Sequence, residues 1–209
     1  RNEIFVQIKK LNVKMIFIYK NNNFNILKNK YDDIPTKIVP FLYNEHMEKV
    51  YNMYIKKEKN IDFLFYGHVN ERRKKILDKI KSLGYNICIL NTNIMKKLIQ
   101  HIKKSRIIII LHTYENDMKI DFYRINLLLS NKTFIIHEEL SDEEKENYKL
   151  FSKIVFSSYN NFVNDCIKYI SYSQDERDKI ANDTYNWFKN NHSLSKYLPV
   201  EDIMNIDKN

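Results

Sequence analysis

Between residues 61 and 156 the chain alternates short apolar runs with longer stretches whose apolar residues fall three and four apart. The clearest run is Ile107 to Leu111, five aliphatics with no polar residue between them. It follows Arg106, and the expected strand covers Arg106 to Leu111. Ile61-Asp62-Phe63-Leu64-Phe65-Tyr66, ending at Gly67, is a second such run, and Asn86 to Leu90 a third. Thr133 to Ile136 and Lys153 to Phe156 complete the set. Runs of this length that do not alternate with polar residues suit strands covered on both faces. Between them, Ile76, Leu77, Ile80 and Leu83 predict a helix over Glu71 to Leu83, stopped by Gly84. Helices follow at about Ile94 to Lys103, Asp121 to Ser130 and, acidic in composition, Ser141 to Leu150. Strands that alternate with helices need crossover connections and build a parallel sheet.

A parallel sheet binds ligands beyond the C-terminal ends of its strands, where the strand-to-helix loops gather. Those loops are expected at Gly67 to Asn70, Asn91 to Asn93, His112 to Lys119 and His137 to Leu140. Gly67-His68-Val69-Asn70-Glu71-Arg72-Arg73 runs from a strand into a helix, whose free N–H groups and positive dipole end suit a diphosphate. One glycine does not make a dinucleotide fingerprint, and the same residues also fit an ordinary turn with an exposed basic helix start. His112 follows the aliphatic strand directly, a position suited to hydrogen bonding a phosphate or sugar hydroxyl, to proton transfer, or to a satisfied core role.

Outside this region, Val13 to Tyr19 and Lys37 to Val39 read as strands and Phe24 to Asn29 as a short helix. Tyr43 to Asn60 is charged, with Met47, Val50, Met53 and Tyr54 at helical spacing. Asn161 to Tyr169 reads as helix, and Ser173 caps another that runs to about Asn190, with Asp175 and Glu176 in its first turn.

The net charge of +9 raises the question of a nucleic-acid or anionic partner. The excess is almost all lysine, 29 Lys against 6 Arg, alongside 30 Ile, 27 Asn, 2 Gly and one Ala. These residue types follow A/T-rich codons, so the bias reads as a property of the genome. A phosphate-gripping surface favours Arg, whose fork binds in two places. No nucleic-acid partner is therefore expected, although a basic nucleic-acid-binding protein stands as a rival class. Cys88 and Cys166 are too few for a disulfide framework or a zinc site, which points to a reducing, cytoplasmic compartment. No apolar run approaches the ~18 residues of a membrane span. The opening at Arg1, with neither a methionine nor a signal-like segment, reads as the start of a fragment.

Several segments carry a family likeness in their order. They are Phe63 to Gly67 followed by Asn70-Glu71-Arg72-Arg73; His112, Tyr114 and Glu115; and Arg124, Ile125, Leu128, Leu129, Asn131 and Lys132 with Glu138 beyond the next strand. The closing part runs from Ile154 to Phe156, through Phe162 to Ile170, to Glu176-Arg177 and Asn191-His192-Ser193. Together these resemble the nucleotide-sugar-binding half of GT-B glycosyltransferases, in particular a branch found in bacteria and large DNA viruses.

The resemblance implies a Rossmann-like α/β fold, a parallel sheet flanked by helices, at residues 61–195. A remnant of an acceptor domain and its crossing would lie at 1–45, a linker helix at 46–60 and a tail at 196–209. It implies a transferase for a nucleotide-diphosphate sugar, with no cofactor, no metal and an acceptor (glycan, lipid or protein) of unknown identity. The diphosphate would lie over Gly67 and Asn70, with Arg72, Arg73 and Arg124 as cations. His112, Tyr114, Glu115, Asp121, Asn131 and Glu138 would contact the nucleotide or sugar, and His112 is the one catalytic candidate. The chain departs from the family in lacking its characteristic spaced pair of glutamates: Met118 and Asn126 stand near those positions, with Asp121 and Glu138 as the local carboxylates. Tyr148, Tyr159 and Phe162 are candidates for base stacking or for plain packing. A truncated, non-catalytic interaction module remains an alternative.

Overall fold

A computed structural model describes residues 13–18, 28–29, 33–39, 43, 45, 48, 58–92, 94–116, 118–142, 153–193 and 196–197. Most of the expected linker helix, the acidic helix after Ser141, the C-terminal tail and all but two residues of the Phe24 to Asn29 helix lie outside the described residues. The chain forms two units, one of residues 1–42 with 192–209 and a larger one spanning Tyr43–Asn191. In the smaller, β1 (Ile16–Ile18) and β2 (Thr36–Ile38) pair in parallel, Ile16 opposite Thr36.

The larger unit is a Rossmann-like α/β domain. Its elements are β3 (Ile61–Tyr66), α1 (Glu71–Ser82), β4 (Ile87–Leu90), α2 (Met95–Lys104), β5 (Ser105–Ile110), α3 (Phe122–Leu129), β6 (Ile135–Glu138), β7 (Val155–Ser157), α4 (Phe162–Ile170) and α5 (Gln174–Asn191). The five strands are all parallel, in the order β4-β3-β5-β6-β7. Because β4 lies on one side of β3 and β5 on the other, the order reverses between β3 and β5.

The unalternating runs are explained by burial on both faces. Phe63, Phe65, Ile107, Ile109 and Ile136 pack on Ile76, Leu77 and Ile80 of α1 and on Phe162 and Cys166 of α4. Leu64, Ile108, Ile110 and Ile135 pack on Leu98 and Ile102 of α2, on α3, and on Tyr185 and Phe188 of α5. Each fully buried Ile or Phe contributes about 1.5–3 kcal/mol relative to exposure. Tyr43 belongs to this core: its ring meets Tyr185 and Phe188 edge-on, at 6.1 and 6.3 Å.

Local signals set the helix ends. The Asn70 side chain accepts from the Arg73 N–H at 3.0 Å, and Asp121 does the same for Arg124 at 3.1 Å. Ser173 and Glu176 form a reciprocal capping box at the start of α5. Gly84, at φ +88°, donates its N–H to Lys81 and ends α1. Several boundaries differ from the sequence expectation by one to three residues: β1 is Ile16–Ile18, β5 is Ser105–Ile110 and β7 is Val155–Ser157. β6 begins and ends two residues later than Thr133 to Ile136, because Ile110 of β5 pairs with His137 and Ser157 of β7 pairs with Glu138. His137 and Glu138 are therefore buried strand residues and not part of a loop. Among the described residues no helix is long and apolar enough to cross a membrane.

Candidate functional site

The loops after β3 and β5 meet at the reversal of strand order, and polar side chains lace them together. Asn70, besides capping α1, donates its side-chain amide to the Thr113 carbonyl at 2.7 Å. Arg73 turns inward beneath the loop, where its Nε and Nη2 donate to the Leu111 carbonyl at 3.1 and 2.7 Å and its Nη1 to the His68 carbonyl at 2.8 Å. Its guanidinium also lies 5.4 Å from the Phe65 ring centroid. A cation so buried, with Nε and both Nη atoms donating to main-chain carbonyls, holds the loops rather than facing a ligand.

Arg72 goes the other way, across β5 to the end of β6. Its Nη1 donates to Glu138 Oε2 at 2.9 Å and to the His112 carbonyl at 3.1 Å, and its Nη2 pairs with Glu138 Oε1. Glu138 is 1% exposed, and its Oε2 also accepts the His112 N–H at 2.8 Å. The guanidinium stacks 4.0 Å over the Tyr159 ring, whose hydroxyl donates to the Arg72 carbonyl at 2.7 Å. Hydrogen bonding to Glu138 raises the Arg72 pKa still further, so this cation is permanent. Its Nε has no hydrogen-bond partner, and Glu115 Oε1 on the rim lies 3.8 Å away.

These groups line a cleft of about 520 Å³ at the C-terminal ends of β5, β6 and β7. Its walls are Arg72, Glu115, Met118, Glu138 to Asp142, Tyr159 and Asn160. On the other side of the strand-order reversal, Arg124 rises from the first turn of α3. It lies 4.6 Å over the Tyr66 ring, with its Nε 3.5 Å from Asp121 Oδ2. Gly67 has φ +132°, and a Cβ there would stand 3.5 Å from Arg124 Nη2. The backbone conformation calls for glycine, and the missing side chain leaves the guanidinium close to the loop. The Tyr66 hydroxyl is buried beside it without a hydrogen-bond partner, and burial raises its pKa.

Two histidines sit under the crevice with ring centroids 5.3 Å apart. His112 Nε2 lies 2.8 Å from the Glu139 carbonyl, which can only accept, so Nε2 carries the proton and Nδ1 the lone pair. His137 Nδ1 donates to the Glu138 carbonyl, leaving Nε2 as an unpartnered buried acceptor. Desolvation lowers both pKa values, that of His137 to about 3.

The unfolded chain binds these protons near 6.5 and the folded one only at lower pH, so stability is complete above 6.5 and falls as pH drops below it. Unfolding free energies from urea titrations across that window should fall with acid, by up to about 1.4 kcal/mol per pH unit for each histidine. His137→Phe should flatten the dependence. A profile that is flat between pH 6.5 and 5 in the unsubstituted chain would contradict neutral burial.

The structure thus brings Gly67, Asn70, Arg72, Arg73, His112, Asp121, Arg124 and Glu138 to one end of the sheet, with Tyr114 and Glu115 exposed on the rim. Asn131 is not among them. It follows the C-terminal end of α3, where the chain turns back toward the start of β6, and its buried amide donates to Leu127. Glu138 anchors Arg72 and the β5 loop, and Asp121 caps α3. Tyr159 is the residue that sequence reasoning weighed least against its place: its position just past a short strand was the available signal. Phe162 lies wholly in the core, and Tyr148 falls outside the described residues. Among the described residues no group of three or more His, Cys, Asp or Glu side chains is arranged to hold a metal.

The larger unit is thus a parallel Rossmann-like α/β domain with a cleft at its strand ends, lined by Arg72, Tyr159 and several carboxylates. Among solved structures the chain is similar to TarM, a glycosyltransferase, with a TM-score of 0.51 at 9% identity, over 98% of this chain and 45% of that one. This likeness is one of fold. An uncharacterized protein of Acanthamoeba polyphaga mimivirus is 27% identical over 169 residues, which is 77% of this chain and 19% of that protein. The chain thus spans under half of TarM and about a fifth of the viral relative. No family model matches it.

Proposed function

We propose that this chain is the donor-binding part of a GT-B sugar transferase that takes a nucleotide-diphosphate sugar. The observation that carries this is the placement of Arg124 over Gly67, where a strand feeds a helix beside the reversal of strand order. The TarM-like fold supports it. In this reading the diphosphate lies along the Gly67 loop, with Arg124 as its main cation. Arg72, paired with Glu138 and stacked on Tyr159, forms part of the cleft wall. Fixed cations of this kind stabilise a diphosphate leaving group as its charge grows, and they need no reorganisation to do so. His112 Nδ1 offers an acceptor to a sugar hydroxyl. Residues 1–45 are the remainder of the acceptor side, and a catalytic base would come from chain beyond this region.

Titration calorimetry of the chain against UDP-, GDP- and dTDP-sugars tests the proposal. One nucleotide class should bind, and Arg124→Ala should weaken it by about 1.5–3 kcal/mol, the value of a charge-assisted contact. Arg124→Ala is the informative variant because its ion-pair partner, Asp121, is half exposed. Absence of binding to every donor at millimolar concentration would overturn the donor site. Unchanged affinity in the variant would remove Arg124 from it.

A further inference from the structure

Among the described residues, the cleft at the ends of β5, β6 and β7 is walled by one cation, Arg72, and four carboxylates, Glu115, Glu138, Glu139 and Asp142. The chain as a whole carries +9, so the cleft reverses the sign of the molecule around it. Arg72 does not offset the excess. Its Nη1 and Nη2 are committed to Glu138, and that pair closes on itself inside the wall. The other three carboxylates border a space of about 520 Å³, with Glu115 and Glu139 exposed.

A fringe of acids on a flat surface is an ordinary solvated face. This one surrounds a concavity within the size range of small-molecule sites, and the wall also offers an unmet donor. With both terminal nitrogens held by Glu138, the guanidinium plane of Arg72 is fixed, and so is the direction of its Nε–H. That buried nitrogen has no hydrogen-bond partner, and Glu115 Oε1 on the rim stops at 3.8 Å. A buried donor left unmade is costly, so an acceptor oxygen belongs there. The rest of the lining mixes Met118 and Leu140 with Ser141, Asn160 and Tyr159, which suits a ligand with both apolar and hydroxylated faces. A bare metal ion does not fit: among the described residues no group of three or more His, Cys, Asp or Glu side chains is arranged to hold one. Carboxylates spread around a cavity suit a positive charge carried on an organic group, and they repel phosphates and acidic ligands.

We propose that this cleft binds the ammonium group of an amino sugar. Glu115 and Glu139 face the charge, and Arg72 Nε donates to a hydroxyl oxygen of the sugar. The choice of a sugar rests on the donor reading above; the preference for positive charge does not. In that reading the diphosphate lies along the Gly67 loop with Arg124, outside the cleft. The two sides of β5 then sort the two ends of one substrate by sign, the anionic end to Arg124 and the cationic end to the carboxylates.

The test is an NMR titration of the full chain, at low salt and slightly acidic pH, with glucosamine, glucose and glucuronate, three pyranoses of different charge. Glucosamine should bind about fivefold or more tightly than glucose, and glucuronate most weakly. Glu115→Gln with Glu139→Gln should remove that advantage while leaving glucose affinity and the melting temperature unchanged, because both side chains are exposed. Equal affinity for glucosamine and glucose, a preference for glucuronate, binding of none of them, or an undiminished advantage in the variant would overturn the proposal. Displacement of glucosamine by micromolar Mg²⁺ would overturn it in favour of a metal site. UDP, GDP and dTDP titrated in parallel separate this inference from the donor reading. A nucleotide that binds without any glucosamine preference keeps the donor site and overturns the cleft assignment. A glucosamine preference with no nucleotide bound overturns the donor site and supports the cleft.

Discussion

Arg72→Ala should lower the free energy of unfolding by about 3–5 kcal/mol, the usual cost of breaking a buried pair from one side. Glu138 has almost no solvent exposure, and both of its oxygens face the guanidinium. Without Arg72 the carboxylate keeps a hydrogen bond from the His112 N–H. It must then stay charged in a poorly solvated place or take up a proton. The Tyr159 ring loses its stacked cation in the same step, and the His112 carbonyl loses a donor. The damage should be repaired in part by removing the stranded charge. Arg72→Met combined with Glu138→Gln should therefore be more stable than Arg72→Ala alone, because a neutral amide can still accept from the His112 N–H. Urea unfolding followed by circular dichroism measures both variants. A loss below about 1 kcal/mol for Arg72→Ala would mean the pair behaves like a surface ion pair. For this reason weaker donor binding by an Arg72 variant is informative only after its stability has been measured.

Phe65→Ala should cost about 3–5 kcal/mol, the range for truncating a buried aromatic when the surroundings collapse only in part. Phe65 is fully buried on the face covered by α1 and α4, and its ring lies under the Arg73 guanidinium. A cavity there undermines the support of the loop that carries Gly67 and Asn70. The register supplies its own control, since Phe65 pairs with Ile89 across β3 and β4 and Ile89 is half exposed. Ile89→Ala should stay within about 0.5 kcal/mol of the unsubstituted chain, as is usual for surface changes. Comparable losses at both positions would show that β4 is not the open edge of the sheet.

The sequence by itself determined the class of fold. Five apolar runs and the helical periods between them specify a parallel sheet, because strand and helix repeats are local properties that neighbouring residues decide. The caps at Asn70, Asp121 and Ser173 and the stop at Gly84 lie within a few residues of what they cap. The end of the sheet on which a ligand would sit follows from the same pattern. Only the tertiary structure decided what the polar residues at that end do. Arg72 and Glu138 are 66 positions apart, and their pairing depends on β5 and β6 lying side by side. Arg72 and Arg73 are adjacent and alike in sequence. Consecutive positions on a helix point about 100° apart, which sends one to a buried carboxylate and the other to the carbonyls beneath the loop. The two-residue shift of β6 turned an expected loop pair, His137 and Glu138, into buried strand residues, with Glu138 lining the cleft. Periodicity marks a strand but not its last ladder bond, which is set by the partner strand. Chain distance and helix phase therefore separate the residues that hold the site from those free to meet a ligand.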